Sequence, residues 1–348
     1  MKFSGIDQVK PMEASNARIV LYGECKSGVY LIFFLFLSSM SFGQCCSGGV
    51  PLSSAVGLPP AAVGTLQLNI NYNWNHLSRI KSGAVLLYDK LRQRNTHAQI
   101  VASGYRFSPA ISVDFFGAFV RQERTINASN GIKNFVFTQG IGDIVLLPKY
   151  HLSESYILGL GIKLPTGSSN FSDLNGIALP ADLQPGSGAV DWIPYAYYHT
   201  TFNPRPSLQL VSKLTYRFTG KNRQYFNTDN SYQFGNELQW QITLSDQFVV
   251  QHTLVDPSVG FRLRWAGRDF FNTQAFPSSG GNFVFVSIGF SVQLLPGFKW
   301  QWNATFPLYS FVNETQLISN FSLTTGIQWR LRKKKYNPNN STLKLISK

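Results

Sequence analysis

The chain has 348 residues, of which 44% are apolar, 14% aromatic and only 14% charged, with a formal net charge of +14. A charged fraction so far below the roughly 25% of soluble domains, beside abundant Gly, Phe and Tyr, points to a β-rich chain. The positive balance does not indicate nucleic acid, because no recognition-helix pattern accompanies it and the basic residues are scattered, apart from Arg330, Arg332, Lys333, Lys334 and Lys335.

In chain order, the first element is the apolar run VYLIFFLFL at 29–37, with Lys26 before it and Ser-Ser-Met-Ser-Phe-Gly after it. This reads as a secretory signal, with cleavage expected after Gly43. The run is too short to cross a bilayer of about 30 Å as a helix. Residues 1–25 make an unusually long leader, so either the start codon lies downstream or the extension is real. Cleavage removes Cys25 and leaves Cys45 and Cys46 adjacent, without the spaced pairs a zinc site needs. Oxidised or capped thiols, soft-metal capture and lipidation all stay open for them. The expected organisation is extension plus signal (1–43), periplasmic N-terminal segment (44–62), transmembrane barrel (63–331) and basic tail (332–348).

From Leu66 to Asn75 every even position is apolar or aromatic and every odd one is an amide, a strict period of two. The alternation returns at Tyr156–Leu164, Leu208–Phe218, Tyr232–Leu244, Val284–Leu294, Phe298–Phe306 and Phe321–Leu331. Strands of about ten residues, tilted roughly 45°, match the height of a hydrocarbon core. Short links fall at Ser108-Pro109, Ser153–Ser155, Phe202–Pro206, Ser245-Asp246 and Leu295–Gly297, and long ones near 76–96, 122–137, 165–187, 219–230, 256–281 and 307–318. Five short and six long links join twelve strands, the pattern of an outer-membrane barrel with short periplasmic turns and long extracellular loops. Within this count, 256–268 is taken as loop or strand overhang.

The expected fold is therefore an all-β, closed, antiparallel transmembrane barrel. In hydrocarbon an unpaired backbone group costs several kcal/mol, so the sheet must close and turn its apolar side outward. The amides then line a wet interior. Trp74, Tyr150, Tyr156, Tyr216, Tyr232, Trp300 and Trp329 are expected in two interfacial girdles. The three-residue link at 295–297 is expected to pair Leu294 with Phe298, Val292 with Trp300 and Phe290 with Trp302.

The segment Gly140-Ile-Gly-Asp-Ile-Val-Leu-Leu-Pro-Lys-Tyr150, with Leu160-Gly-Ile-Lys-Leu-Pro-Thr-Gly167 and Leu183-Gln-Pro-Gly-Ser-Gly188, resembles the outer-membrane barrels of the meta-pathway phenol-degradation, transporter-like family. Similar proteins of Gram-negative, Bacteroidetes-type bacteria carry an early Cys-Cys-x-Gly-Gly and a late Pro-Leu-Tyr-x-Phe/Tyr-Val-Asn, matched here by Cys45–Gly49 and Pro307–Asn313. The resemblance makes Gly140, Gly142, Pro165, Thr166 and Gly167 family-motif positions and implies hydrophobic or aromatic cargo. One departure is the continuation past Leu331 to Lys348, where many such barrels end on an aromatic residue. The alternation from Phe321 to Leu331 then serves as an internal version of that terminal signal.

No nucleophile elbow, phosphate-cradling glycine loop, paired metal-spaced histidines or Cys-x-x-Cys is present, so neither catalytic residues, metal nor cofactor are expected. His76, His97, His151, His199 and His252 are dispersed. The lumen-lining candidates are Asp143, Lys149, Lys163, Lys213, Arg217, Glu237 and Lys299, with Asp143 and Lys163 set opposite one another by a symmetric turn around Ser153. The 165–187 link, rich in Gly and Pro, suits a loop folded inward. The expected function is passive passage of small solutes through the outer membrane, and the competing class is a sealed anchor or surface protein. Expected partners are outer-membrane lipids, the barrel-insertion machinery and a small-molecule solute.

Overall fold

Period-two alternation over so many segments has one stable outcome in a membrane, a sheet that closes on itself. The computed structural model describes residues 56–88, 91–127, 133–173 and 175–332. The expected signal sequence, Cys45, Cys46 and the tail beyond Arg332 lie outside the described residues. The wall is built from β1 (Thr65–Gly83), β2 (Arg92–Arg106), β3 (Ile111–Asn127), β4 (Ile144–His151), β5 (Tyr156–Leu164), β6 (Asp191–Phe202), β7 (Arg205–Arg217), β8 (Glu237–Ser245), β9 (Thr253–Ala266), β10 (Gly281–Leu295) and β11 (Phe298–Arg332). Each pairs antiparallel with the next, and β11 pairs β1 to close the ring. The strand Lys133–Ile141 pairs the outer half of β3, above β4.

The last element doubles back. Residues 298–312 of β11 pair β10, residues 315–332 pair β1, and the tight turn between them holds Glu314 at φ 50°. Its two arms are joined by Arg330 N–H donating to Gly297 O at 2.7 Å and Trp300 Nε1–H donating to Thr325 Oγ1 at 3.0 Å. Eleven elements thus make twelve crossings, which puts Thr65 and Arg332 side by side at one end.

The outer face is apolar and the inner face polar where the alternation predicts. Ile70 and Trp240 are 44% and 43% exposed, whereas Asn69 and Gln239 are each 6% exposed. Two outward aromatic belts bound the apolar band. One includes Trp74, whose ring stacks on His97 at 6.3 Å, with Tyr72 Oη 2.6 Å from His97 Nδ1. The other includes Tyr105 against Phe107 and Tyr156 against Tyr198, each pair at 4.7 Å. Leu66, level with Tyr105, and Trp74, level with His97, lie eight residues apart on β1, which at the usual rise and tilt is about 20 Å of membrane height.

Several boundaries depart from the sequence reading. β9 is a full strand across 256–266, and its long link is 267–280; Asp256, Arg262 and Arg264 resemble loop residues because their inward side takes charge in a lumen. The links read as 76–96, 122–137 and 307–318 are largely strand, since β1, β3 and both arms of β11 continue past the hydrocarbon as paired sheet. Tyr232 is no girdle residue: it is 3% exposed, in a small four-stranded sheet with Lys221–Asn222, Phe270–Phe271 and Gln274–Ala275. In the 295–297 hairpin, Phe290 faces Trp302 and Val292 faces Trp300, but a register shift pairs Phe298 with Leu295 rather than Leu294. Among the described residues no helix is long and apolar enough to cross a membrane.

Candidate functional site

The barrel interior is not uniformly wet. Inward residues of β2 to β6, including Ile100, Phe116, Val120, Leu147, Ile193 and Tyr195, form a buried apolar cluster, which Val56 and Leu58 complete. The segment expected in the periplasm therefore enters the lumen at 56–58. It is fixed by its backbone: Leu58 N–H donates to Asp114 Oδ2 at 2.9 Å, and Lys149 Nζ donates to Leu58 O at 3.1 Å. Lys149 and Asp114 are themselves paired at 2.7 Å, both almost fully buried. Gly57 makes the passage possible, with φ 86° and Tyr195 so near that an added Cβ would lie 2.3 Å from its ring.

From the opposite end the link between β5 and β6 folds inward. Leu179 and residues 181–186 are buried, with a short 3-10 turn at Ala181–Leu183. Arg94 of β2 bonds Asp182 Oδ2 at 2.6 Å and also donates to Asp182 O and Gln122 Oε1. Gln122 of β3 donates to Gln184 O at 3.2 Å, and Thr138 Oγ1 donates to Leu183 O. The loop thus hangs from three neighbouring strands by side chains alone.

The family-motif residues make the hinge of that loop. Between Ile141 and Ile144 the strand is interrupted, and Thr166 repairs the gap: its Oγ1 accepts from Ile144 N at 3.0 Å and donates to Gly142 O at 3.2 Å. Asp143 then accepts from Gly167 N at 3.1 Å and from Ser187 N at 3.0 Å, gripping both stems of the loop. Gly167 and Gly186 cross so closely that an added Cβ on Gly186 would lie 2.3 Å from Gly167 O. Gly140 lies against Pro185 of the loop, while Pro165 is exposed at its start.

Lys163 stands between Asp143 at 3.1 Å and Asp191 at 2.8 Å. The register sets Lys163 opposite Val145, two residues along from the expected partner Asp143, and the ion pair forms on the diagonal. Across the barrel, Glu237 of β8 takes Arg217 at 3.1 Å and Arg264 at 3.0 Å, with Gln239 as a further donor. Lys299 pairs Asp256 at 2.6 Å near the short-turn end. Lys213 stands apart, half-buried on the inner face of β7 and two residues from Thr215. A small recess opens between Ile193, Thr215, Arg217, Glu237 and Gln239.

Sequence reasoning missed Asp114, Arg94, Asp182 and Arg262. Asp114 sits in Val-Asp-Phe, where inward apolar neighbours such as Phe116 conceal the polar-in pattern. Among the described residues, no group of three or more His, Cys, Asp or Glu is arranged to hold a metal.

A closed ring of strands with an oily exterior, aromatic belts and a charged interior narrowed from both ends is an outer-membrane β-barrel. Its fold is similar to the crystal structure of an outer membrane channel from Pseudomonas putida F1, with TM-score 0.62 and 16% identity over 78% of this chain and 97% of that one. The translocator domain of the autotransporter NalP from Neisseria meningitidis is more distant, at TM-score 0.45 and 11% identity over 80% and 93% of the two chains. No curated protein matches the sequence. Residues 89–308 match the family described as "Putative MetA-pathway of phenol degradation", and the chain belongs to that family.

Proposed function

We propose that the barrel passes small solutes across the outer membrane, along the inner faces of β7 to β10. The observation that carries this reading is the way the lumen is narrowed. The 56–58 segment and the 165–190 loop are held by individual hydrogen bonds and ion pairs, not by strand pairing, so each can leave without opening the wall. The family description, which names phenol degradation, supports hydrophobic or aromatic cargo. Aromatic residues on the inner wall, Tyr195, Tyr197, Phe283 and Phe285, suit such solutes.

We assign residues 1–43 to a secretory leader and the strand Phe321–Leu331 to recognition by the barrel-insertion machinery, with outer-membrane lipids around the apolar band. A second reading, a sealed anchor for extracellular loops, draws support from the apolar cluster that Val56 and Leu58 complete. Single-channel recording in planar bilayers separates the two. Discrete conductance steps that grow when the 56–62 segment is deleted support passage, and persistent silence from both proteins makes the barrel an anchor.

A further inference from the structure

Charge inside the barrel is divided between its walls. On the β2 to β6 side Arg94 pairs Asp182, Lys149 pairs Asp114, and Lys163 pairs Asp143 and Asp191. On the β7 to β9 side Arg217, Lys213, Arg262 and Arg264 stand around Glu237, which is taken by Arg217 and Arg264, while Asp256 near the short-turn end of β9 is taken by Lys299. Lys213 and Arg262 are left without an ion pair or hydrogen bond among the described residues.

Strand register sets these two on one level. The inward residues Tyr197, Lys213, Gln241, Arg262 and Phe285 face one another in sequence across β6 to β10. Outward neighbours Leu214, Phe261 and Leu263 are exposed on the lipid side, which confirms that Lys213 and Arg262 point into the lumen. With two strand spacings between them, their backbones lie about 10 Å apart, room for a small anionic group between the cationic heads. Arg262 lies over the ring of Phe285 at 4.4 Å, which fixes the guanidinium plane and leaves an edge of N–H donors for a ligand. The next level up holds Tyr195 and Phe283, with the recess by Thr215 and Gln239 between them.

We propose that Lys213 and Arg262 form a binding station for the carboxylate of a small aromatic solute, whose ring rests among Tyr197, Phe283 and Phe285. Two like charges in a narrow lumen repel one another, and a bound carboxylate relieves this while accepting charge-assisted hydrogen bonds from both. The aromatic walls on either side select a flat apolar body. The station rests on the passage reading for its purpose, but its existence is a matter of binding and can be measured separately.

The test is calorimetric titration of the purified full-length barrel with benzoate, phenol and acetate, beside bilayer recording of the same preparations. Benzoate is expected to bind more tightly than either phenol, which lacks the charge, or acetate, which lacks the ring. Loss of one charge-assisted contact corresponds to roughly a tenfold loss of affinity, so Lys213→Gln and Arg262→Gln should each weaken benzoate about tenfold and leave phenol unmoved. Lys213→Arg should retain benzoate binding, which separates charge from packing. Equal benzoate affinity in the wild type and the double glutamine variant, or no binding by the wild type, overturns the station even if the barrel conducts. Silent bilayers with charge-dependent benzoate binding overturn the passage reading and leave the station standing.

Discussion

Arg94 and Asp182 join the barrel wall to its inserted loop through an ion pair of 2.6 Å whose side chains are 2% and 9% exposed. Removing one partner of a buried pair costs about 3–5 kcal/mol when the other must stay buried. In Asp182→Ala the unpaired partner is Arg94 on the wall, and the loop can swing out and let water reach it, so the cost appears as loop release. Asp182→Ala is therefore expected to leave the barrel folded and raise its single-channel conductance. Arg94→Met combined with Asp182→Leu, which substitutes apolar contact, should restore the smaller conductance; an unchanged current in Asp182→Ala would show that the loop does not limit flow.

Gly57→Ala tests the other constriction. The left-handed backbone alone costs an alanine about 1 kcal/mol, and the added carbon would meet Tyr195 at 2.3 Å. The 56–58 segment should leave the lumen, exposing a cysteine placed at Leu58 to a periplasmic thiol reagent. A Leu58→Cys barrel that labels at the same rate with and without Gly57→Ala would refute this seating.

Orientation of the wall is checked at adjacent residues of β8. Trp240→Arg places charge on the lipid face and is expected to cost about 2–4 kcal/mol if near the midplane, read from urea unfolding in lipid. Gln239→Arg, on the lumen face, should cost something too, because Gln239 already donates to a Glu237 that holds two arginines. The penalty at 240 should be the larger.

Asp269 gives the extracellular sheet a pH dependence. Burial pushes its carboxyl up, although Tyr232 Oη and Gly235 N donate to it at 2.5 and 2.7 Å. For an acid whose folded value is raised, the stabilisation is complete below the ordinary carboxylate value and is lost as pH rises through the raised one. The loop sheet should thus be held most firmly in acid. Asp269→Asn, whose Oδ1 can accept from Gly235 N while its amide N–H donates to Tyr232 Oη, should flatten that slope in hydrogen-exchange opening energies corrected for intrinsic rate.

Sequence alone determined the wall. Leu66 to Asn75 could satisfy both faces only as a strand between oil and water, and repetition of that pattern, with links alternating in length, set the number of crossings and which side chains turn inward. It also singled out Asp143 and Lys163, because a hairpin brings its own stems together. What fills the bore was decided by tertiary structure. Leu58 meets Lys149, and Asp182 meets Arg94, only once the ring has closed, and period two reports the face a side chain takes, not the partner that comes from far along the chain. For the same reason Arg262 looked like a loop charge: its place beside Lys213 follows from the register of three strands, which no single segment encodes.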